Sequence, residues 1–422
     1  MSPPAPRPAR RPVVLLVGVV FRHYRGHLLS AVAEVADVWL LAERETTWED
    51  EHLIGHTVVD TSDGAALLAA AREVAARHPV AGVLCWDELK MAHAAMVAAE
   101  LGLPGEDPDV IDRCRDKHRT RRALADAGVG QPDSLLVASP EQAGVAADRI
   151  GFPVVLKPRA LGASMGVVRA DAPGDVPAAY AHARAAHVSI ARRYHAGVLV
   201  ERCVEGPEIS VDSACAGGRL TPLFVARKSS GFAPYFEETG HVVDGADPLL
   251  ADRGLREVLR STHRALGFTT GMTHTELRLA SDGWRVIEVN CRLGGDLIPF
   301  LGRAATGIDA AAVAAAIALG RAPDPRPVRR HTAGVRFLYP DRPLTVDKVV
   351  VHRSLLPPSV VLATATVEPG ERVAPPPEGH VWGRYGLVAA AAPTPRRCQE
   401  ALETAVGAVV LHSRVEAAEG AG

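Results

Sequence analysis

Residues 273–296 read Thr-His-Thr-Glu-Leu-Arg-Leu-Ala-Ser-Asp-Gly-Trp-Arg-Val-Ile-Glu-Val-Asn-Cys-Arg-Leu-Gly-Gly-Asp, with two runs of alternating polar and apolar residues. The turn residues Ser281-Asp282-Gly283 separate the two runs, so the pattern predicts a β-hairpin. A three-residue loop at this turn sets Glu276 directly opposite Glu288. Because side chains alternate along a strand, Asn290 then lies on the same face as Glu288.

The opposed carboxylates of Glu276 and Glu288 would repel each other and weaken the hairpin. A divalent cation between them removes that repulsion, and Asn290 supplies a third hard oxygen ligand. The set contains no sulfur and no imidazole, so Mg²⁺ held together with nucleotide phosphates is the expected metal. The alternative is a pair of solvated glutamates on an exposed face, although the opposite face is cleanly apolar at Leu277, Leu279, Ile287 and Val289.

A second motif, residues 155–167, is a strand that ends at Lys157-Pro158 and leads into a loop with Gly162, Ser164 and Gly166. Glycines let backbone N–H groups approach phosphate oxygens, and the lysine adds a point charge. The pattern G-x-x-x-x-G-K-[ST] occurs nowhere, so this is not a Walker A loop. A glycine hairpin with an incidental lysine is the alternative.

A third motif, residues 200–213, is a strand, a turn at Gly206-Pro207 and a second strand that begins at Glu208. Such a connector can offer backbone N–H and C=O groups to an adenine edge, while the Glu208 carboxylate can accept from ribose hydroxyls. A hairpin with exposed glutamates has the same pattern, so this motif is informative only beside the other two.

The whole chain has 422 residues, 47% of them apolar, and a formal net charge of −2. The length predicts two or three domains, and the charge argues against nucleic acid or an anionic membrane as the main partner. No apolar run approaches the ~20 residues of a membrane span. Six scattered cysteines without metal-ligand spacing indicate a cytoplasmic protein with reduced thiols.

Only five of the 47 basic residues are lysines, so each lysine marks a place where a compact ammonium is a candidate for a specific task. Lys157 and Lys117 fall near motifs, and Lys228 precedes the segment 231–241. Lys90 and Lys348 lie outside every motif and are predicted to be ordinary surface residues.

Strands spaced by helices predict a parallel sheet near the N-terminus and hence an α/β domain over residues 12–112. We predict four parts: a disordered Pro/Arg-rich tail over 1–11, the α/β domain, a strand-richer central part over 113–322, and a C-terminal α+β part over 323–422. The helices and strands expected are strands at 13–17, 38–41 and 80–84, and helices at 26–35, 65–77, 90–101, 116–127 and 395–412.

The motifs together resemble the ATP-grasp carboxylate–amine ligases over about residues 114–320, in the order that this superfamily shows. Within it, His274-Thr275-Glu276 and residues 290–299 are most similar to L-amino-acid ligases, which join two amino acids. The resemblance implies an α/β fold, α+β in its centre: an ATP-grasp fold with an N-terminal Rossmann-like pre-ATP-grasp domain and a small C-terminal domain.

The resemblance also implies a nucleotide site and a metal site. Lys117 and Lys157 would bind the ATP phosphates, and Ser164, Met165 and Gly166 would cover them. The remaining nucleotide contacts would come from Glu201, Arg202, Cys203 and Val204 at adenine and from Glu208 at the ribose. Glu276, Glu288 and Asn290 would bind Mg²⁺, as two ions, with Mn²⁺ as an alternative.

For the chemistry, the resemblance implies catalytic roles for Arg292, Lys157 and His274. Arg292 would stabilise an acyl-phosphate stage, and Gly294 and Gly295 would hold the substrate acid near it. Glu238 and His241 are further substrate-binding candidates, with exposed loop residues as the equal alternative. The substrates would be a small-molecule acid and an amine, and many relatives are dimers, which leaves a homodimer open here.

We therefore expect an ATP-dependent ligase that forms an amide bond between two amino acids, or between an amino acid and a peptide-like or specialised acid. One alternative is an ATP-grasp ligase for a purine precursor or bicarbonate. A second is a nucleotide-binding protein without catalysis, against which the intact metal set and Arg292 argue.

Overall fold

The computed structural model describes residues 11–18, 21–186 and 197–414. The predicted disordered tail lies outside these residues except for Arg11. That residue has defined contacts: its guanidinium donates to the Ala33 carbonyl at 2.8 Å. Within the described residues no single helix is long and apolar enough to cross a membrane, and the helix pair Ile298–Thr306 and Ala310–Ala318, bent by 106°, passes that test only as a pair.

The N-terminal part is a parallel four-stranded sheet in the order β3-β2-β1-β4 with helices packed on it. Its elements are β1 (Val13–Val17), α1 (Arg22–Val35), β2 (Asp37–Ala42), β3 (Gly55–Val58), α2 (Gly64–Ala75), β4 (Val80–Cys85) and α3 (Met91–Glu100). The strand order reverses between β1 and β4, and the loops after these two strands lie at the carboxyl edge, where open α/β sheets bind ligands.

Two helices and a second four-stranded sheet follow, the latter antiparallel in the order β5-β8-β6-β7. The elements are α4 (Pro108–Arg115), α5 (Lys117–Asp126), β5 (Ser134–Val137), α6 (Pro140–Ile150), β6 (Val154–Pro158), β7 (Val168–Ala170), α7 (Val176–Ala185) and β8 (Val198–Arg202). The inner faces of this sheet and of α6 and α7 form a core of their own, with Leu156 and Val200 fully buried.

The largest sheet has eight strands in the order β13-β12-β9-β10-β11-β14-β18-β16. Its strands and neighbouring helices are β9 (Glu208–Ala216), β10 (Arg219–Gly231), β11 (Glu237–Asp244), α8 (Arg253–Leu266), β12 (Gly271–Ala280), β13 (Gly283–Asn290), α9 (Ile298–Thr306), α10 (Ala310–Ala318), β14 (Thr332–Leu338), β16 (Val360–Ala365) and β18 (Gly386–Ala392). A small sheet beside it consists of β15 (Leu344–Val351), β17 (Arg372–Val373) and β19 (Val409–Ser413).

The C-terminal end corrects one prediction. The last helix, α11 (Pro395–Gly407), stops five residues before the predicted end, and β19 follows at once. Val409–Ser413 pairs with β15, and its β-branched residues Val409 and Val410 suit a strand better than a further helical turn.

The hairpin β12–β13 has the predicted pairing of Glu276 with Glu288 but a different loop. Ala280 pairs with Gly283, so the loop has two residues and not three. A bulge between Glu276 and Leu277 inserts one extra residue on β13 and restores the register that the longer loop would have produced.

Candidate active site

A cavity of about 780 Å³, the central cavity, lies between the N-terminal sheet, the β5–β8 sheet and the eight-stranded sheet. Its wall contains every predicted site residue except Gly166, His241 and Gly294. The structure therefore brings together residues from positions 117 to 296 of the chain around one space, with further wall residues from both ends of the chain.

Lys117 and Lys157 enter the central cavity from the ends of neighbouring elements. Asp116 caps α5 by accepting from His118 N at 3.0 Å, and its carboxylate also accepts from the Arg159 guanidinium at 2.8 and 2.6 Å. This junction places Lys117 on the first turn of α5, where its ammonium lies 3.1 Å from Glu288.

The Lys157 ammonium is buried and lies 2.7 Å from Glu201, which also accepts from Arg121 at 2.7 and 3.0 Å. Burial lowers the pKa of Lys157, and the Glu201 carboxylate opposes that effect. Burial alone would raise the pKa of Glu201, but the two cations hold it at about 2. The Glu201 side chain thus positions Lys157, so only its backbone is free to meet a nucleotide base.

The loop after β6 contains three residues in the left-handed region of backbone conformation. Ala163, Ser164 and Gly166 all have positive φ, at 56°, 53° and 73°. A Cβ on Gly166 would lie 2.5 Å from the Ala186 side chain and 2.8 Å from Pro158, so this position admits only glycine.

Lys228, to which the sequence assigned no role, lies at the middle of the eight-stranded sheet with its side chain 7% exposed. Its ammonium contacts Glu208 at 2.9 Å, Glu238 at 2.5 Å and Glu276 at 2.9 Å. Burial lowers the pKa of Lys228, but the three carboxylates outweigh it and raise the pKa well above the ordinary value. One ammonium therefore connects the predicted ribose, substrate and metal carboxylates.

The predicted metal ligand Asn290 lies beside Glu88, a carboxylate that sequence analysis missed. The Asn290 terminal amide lies 3.2 Å from both Glu288 and Glu88, and its surroundings favour the orientation in which the amide nitrogen faces these two carboxylates. An amide nitrogen would donate to both carboxylates, whereas an amide oxygen would share a cation with them. Together with the opposed Glu276, this set of hard oxygens fits Mg²⁺.

His274 is held by Asp212, a buried carboxylate on β9 directly across from it in the sheet. The Nδ1 of His274 lies 2.6 Å from Asp212, and its Nε2 lies 3.4 Å from Glu276. Although burial lowers the pKa of His274, Asp212 and Glu276 raise it to about 9. The imidazole is therefore cationic at neutral pH and orients Glu276.

The same Asp212 fixes the loop after β13. Its second oxygen accepts from Gly294 N at 3.0 Å, and a Cβ on Gly294 would lie 2.9 Å from this carboxylate. Arg25 of α1 donates to the Gly294 carbonyl at 2.9 Å. The predicted acid-binding loop is thus attached to both the eight-stranded sheet and the N-terminal part.

Arg292 is bound on one side and open on the other. Its Nε donates to Glu88 at 2.8 Å and its Nη1 donates to the Leu293 carbonyl at 2.9 Å. Its Nη2 points toward the β6 loop, 3.9 Å from where a Cβ on Gly162 would lie. One edge of the guanidinium therefore faces the predicted phosphate loop.

A second cluster, the Glu238 cluster, consists of Glu238, His241 and Asp296. The Nε2 of His241 lies 3.2 Å from Glu238 and 3.6 Å from Asp296. Arg384, from the C-terminal part, donates to both Asp296 oxygens at 2.8 Å. His241 is fully buried, so it is not the exposed loop residue of the alternative prediction.

The two lysines predicted to lie on the surface differ in their surroundings. Lys90 was predicted to lie on the surface, but it is 7% exposed and paired with Glu43, which is a correction. Lys348 is exposed as predicted. Glu88 and Arg384 were missed because nothing in their local sequence marks them, and their partners lie 204 and 88 residues away.

Comparison with known proteins identifies two families along the chain. The ATP-grasp domain family matches residues 150–299, and the L-amino acid ligase C-terminal domain 2 family matches residues 336–414. The chain is 30% identical to a phosphoribosylamine–glycine ligase of Streptomyces coelicolor over 340 residues, 75% of this chain and 77% of that protein.

Two further similarities concern an amino-acid ligase and the crystal structure of another. An alanine–anticapsin ligase of Bacillus subtilis is 26% identical over 245 residues, 54% of this chain and 52% of that protein. The crystal structure of an L-amino acid ligase from Bacillus licheniformis superposes with a TM-score of 0.81 at 21% identity, over 96% of this chain and 100% of that one. This last likeness shows the ATP-grasp ligase fold.

Proposed function

Because this chain belongs to the ATP-grasp carboxylate–amine ligases, which form carbon–nitrogen bonds, we propose that it joins two amino acids, or an amino acid and a peptide-like or specialised acid, at the cost of ATP. The matching C-terminal family and the similarity to an alanine–anticapsin ligase favour amino acids over other acids. The observation that carries this proposal is that the lysines, the opposed carboxylates and Arg292 line the same cavity as Glu238 and Asp296.

In the proposed reaction an oxygen of the acid substrate attacks the γ-phosphorus of ATP and ADP leaves. The nitrogen of the amine substrate then attacks the acyl carbon, phosphate leaves, and the amine proton goes to the released phosphate. Most of the acceleration would come from positioning and charge neutralisation.

The residues of the chain divide this work. Lys117 and Lys157 contact the phosphates as point charges, and the β6 loop covers them with backbone N–H groups. The free edge of Arg292 faces that loop, so it can hold the carboxylate that is being phosphorylated. Glu201 and Glu88 keep Lys157 and Arg292 in place.

Glu276, Glu288 and Asn290 would hold Mg²⁺, as two ions, with Mn²⁺ as a substitute. When bound, the metal neutralises phosphate charge as it develops. Lys228 lies 2.9 Å from Glu276 and Lys117 lies 3.1 Å from Glu288, so each of the two opposed carboxylates has a lysine as its counter-ion.

The Glu238 cluster is suited to the α-ammonium of the acid substrate. It combines two carboxylates with a buried imidazole and lies beside the loop that would hold the substrate carboxylate. Glu238 and Asp296 already have Lys228 and Arg384 as cationic partners, and an α-ammonium would add a further cation to these two carboxylates.

ADP release against panels of amino acids, purine intermediates and bicarbonate tests this function. We expect turnover with pairs of amino acids and a product mass equal to the sum of both minus water. Turnover only with purine intermediates or bicarbonate would replace the proposal by the first alternative.

A matched pair of variants separates catalysis from nucleotide binding alone. Glu288→Gln should reduce ADP release at least a hundredfold, whereas Glu257→Gln, on the exposed face of α8, should not change it. If Glu288→Gln abolished Mg²⁺-dependent ATP turnover but a cell carrying this variant behaved as the wild type, the protein would act as a nucleotide-binding protein without catalysis.

A further inference from the structure

Two exposed aromatic residues meet at the outer part of the central cavity. Phe21 precedes α1 and Trp382 lies on the short 3-10 turn His380–Gly383 of the C-terminal part. Their ring centroids are 5.9 Å apart with planes inclined by 57°. Phe21 is 55% exposed and Trp382 is 65% exposed, and both line the cavity.

This pair differs from the other exposed apolar residues of the described chain. Val145, Val328 and Leu355, for example, are exposed outside the wall of the central cavity. Single exposed apolar residues are common and need no explanation, but two large aromatic rings in contact at a cavity form a surface that binds an apolar group. Val367 and Val381 extend the same apolar wall.

The aromatic pair lies close, along α1, to the loop at Gly294 that is predicted to bind the acid substrate. Arg25 binds the Gly294 carbonyl at 2.9 Å, and Phe21 precedes it by four residues. At 1.5 Å of rise per residue this is about 6 Å along the helix axis, roughly the reach of one amino acid with a large side chain. The residues predicted to serve ATP and the acid line the same cavity as the two rings, and neither ring has been assigned to those two substrates.

We propose that Phe21 and Trp382 form the side-chain subsite of the amine substrate and select an amine that carries an aromatic or large aliphatic group, such as a large apolar amino acid. This inference rests on the proposed function and specifies its second substrate. The apolar group packs against the two rings, and its nitrogen is directed inward to the acyl carbon held at Arg292.

The test uses the full-length chain with ATP, Mg²⁺ and mixtures of the natural amino acids. Tandem mass spectrometry reads the order of the two residues in each dipeptide, and the amine substrate is the C-terminal one. We expect phenylalanine, tryptophan, leucine or methionine in that position. Dipeptides with only glycine, alanine or charged residues there would overturn the proposal, whereas a lack of both ADP and dipeptides would instead overturn the proposed function.

Variants then assign the selection to the two rings. For Trp382→Ala and Phe21→Ala the ratio of kcat/KM for a phenylalanine amine to that for a glycine amine should fall at least tenfold, while Trp382→Phe should restore most of it. Leu355→Ala, a change at an exposed residue outside the cavity, is the control. An equal loss for phenylalanine and glycine would show that the pair only joins two parts of the fold, and the proposal would be wrong.

Discussion

Lys157 occupies a position where the shape of the cation matters as much as its charge. Its side chain is 5% exposed, and its ammonium lies 2.7 Å from Glu201 with Arg121 on the other side of that carboxylate. A guanidinium is planar and larger than an ammonium, so it cannot place a compact charge at the same point.

Lys157→Arg should therefore raise the KM for ATP at least tenfold while the melting temperature stays within a few degrees of the wild type. Steady-state kinetics with varied ATP and a thermal melt measure both quantities. Lys348→Arg, at an exposed site, is the control. An unchanged KM for ATP would show that Lys157 does not contact the nucleotide.

The ion pairs of Lys228 within the eight-stranded sheet make the stability of the protein depend on pH. Burial raises the pKa of Glu238 and Glu276, but the ion pairs with Lys228 outweigh it and lower both. In the wild type these ion pairs stabilise the folded protein above about pH 4.3, and this stability is lost as the pH falls through the lowered pKa values of the folded state.

Lys228→Met leaves three half-buried carboxylates without their common cation and should cost about 3 kcal/mol at pH 7.5. The difference in the free energy of unfolding between Lys228→Met and the wild type should be smaller at pH 5.5, because Glu238 and Glu276 take up protons more readily without the ammonium. Urea unfolding at the two pH values measures this, with Lys348→Met as the control. A deficit that is equal at both pH values would contradict the assigned pairing.

At the scale of elements, the hairpin β12–β13 shows which predictions local sequence supports. Side-chain alternation and a turn signal fixed the pairing of Glu276 with Glu288, because a wrong register would move the buried residues to the other face. The loop length was wrong by one residue, since a bulge cannot be distinguished from a longer loop by counting. The helix predicted over 395–412 is present but ends at Gly407, because the following residues form β19, whose pairing partner β15 is distant in sequence.

The helix α8 behind this hairpin carries a further prediction. His263 donates from Nδ1 to the Leu259 carbonyl at 2.7 Å and accepts at Nε2 from the Thr273 hydroxyl at 2.8 Å, so it is neutral. Burial lowers its pKa from 6.5 to about 4, although the bond to Leu259 opposes this. The unfolded chain therefore binds a proton that the folded protein does not bind between these pH values.

The folded protein should accordingly lose up to about 3 kcal/mol of stability through His263 as the pH falls from 6.5 to 4. His263→Gln should lose less stability over this range than the wild type, while His412→Gln, on the exposed end of β19, should follow the wild type. Chemical denaturation at a series of pH values measures the slopes. Parallel slopes for His263→Gln and the wild type would contradict a neutral buried His263.

At the scale of the whole molecule, the site is assembled from parts that are far apart in sequence. Motifs that each span fewer than 30 residues predicted the phosphate loop, the connector and the metal carboxylates. The contacts of Arg292 with Glu88 and of Asp296 with Arg384 join different parts of the fold, and no local pattern marks them. Phe21 and Trp382 were missed for the same reason, because their significance arises only from their contact.

The central claim is that an acid substrate is activated by the γ-phosphate of ATP and then captured by an amine. The most direct measurement uses amino acids labelled with ¹⁸O in the carboxyl group, incubated with the protein, ATP and Mg²⁺. The account predicts equal amounts of ADP and dipeptide, with one ¹⁸O atom transferred to each released phosphate. Release of AMP and pyrophosphate, or dipeptide formation with unlabelled phosphate, would contradict it.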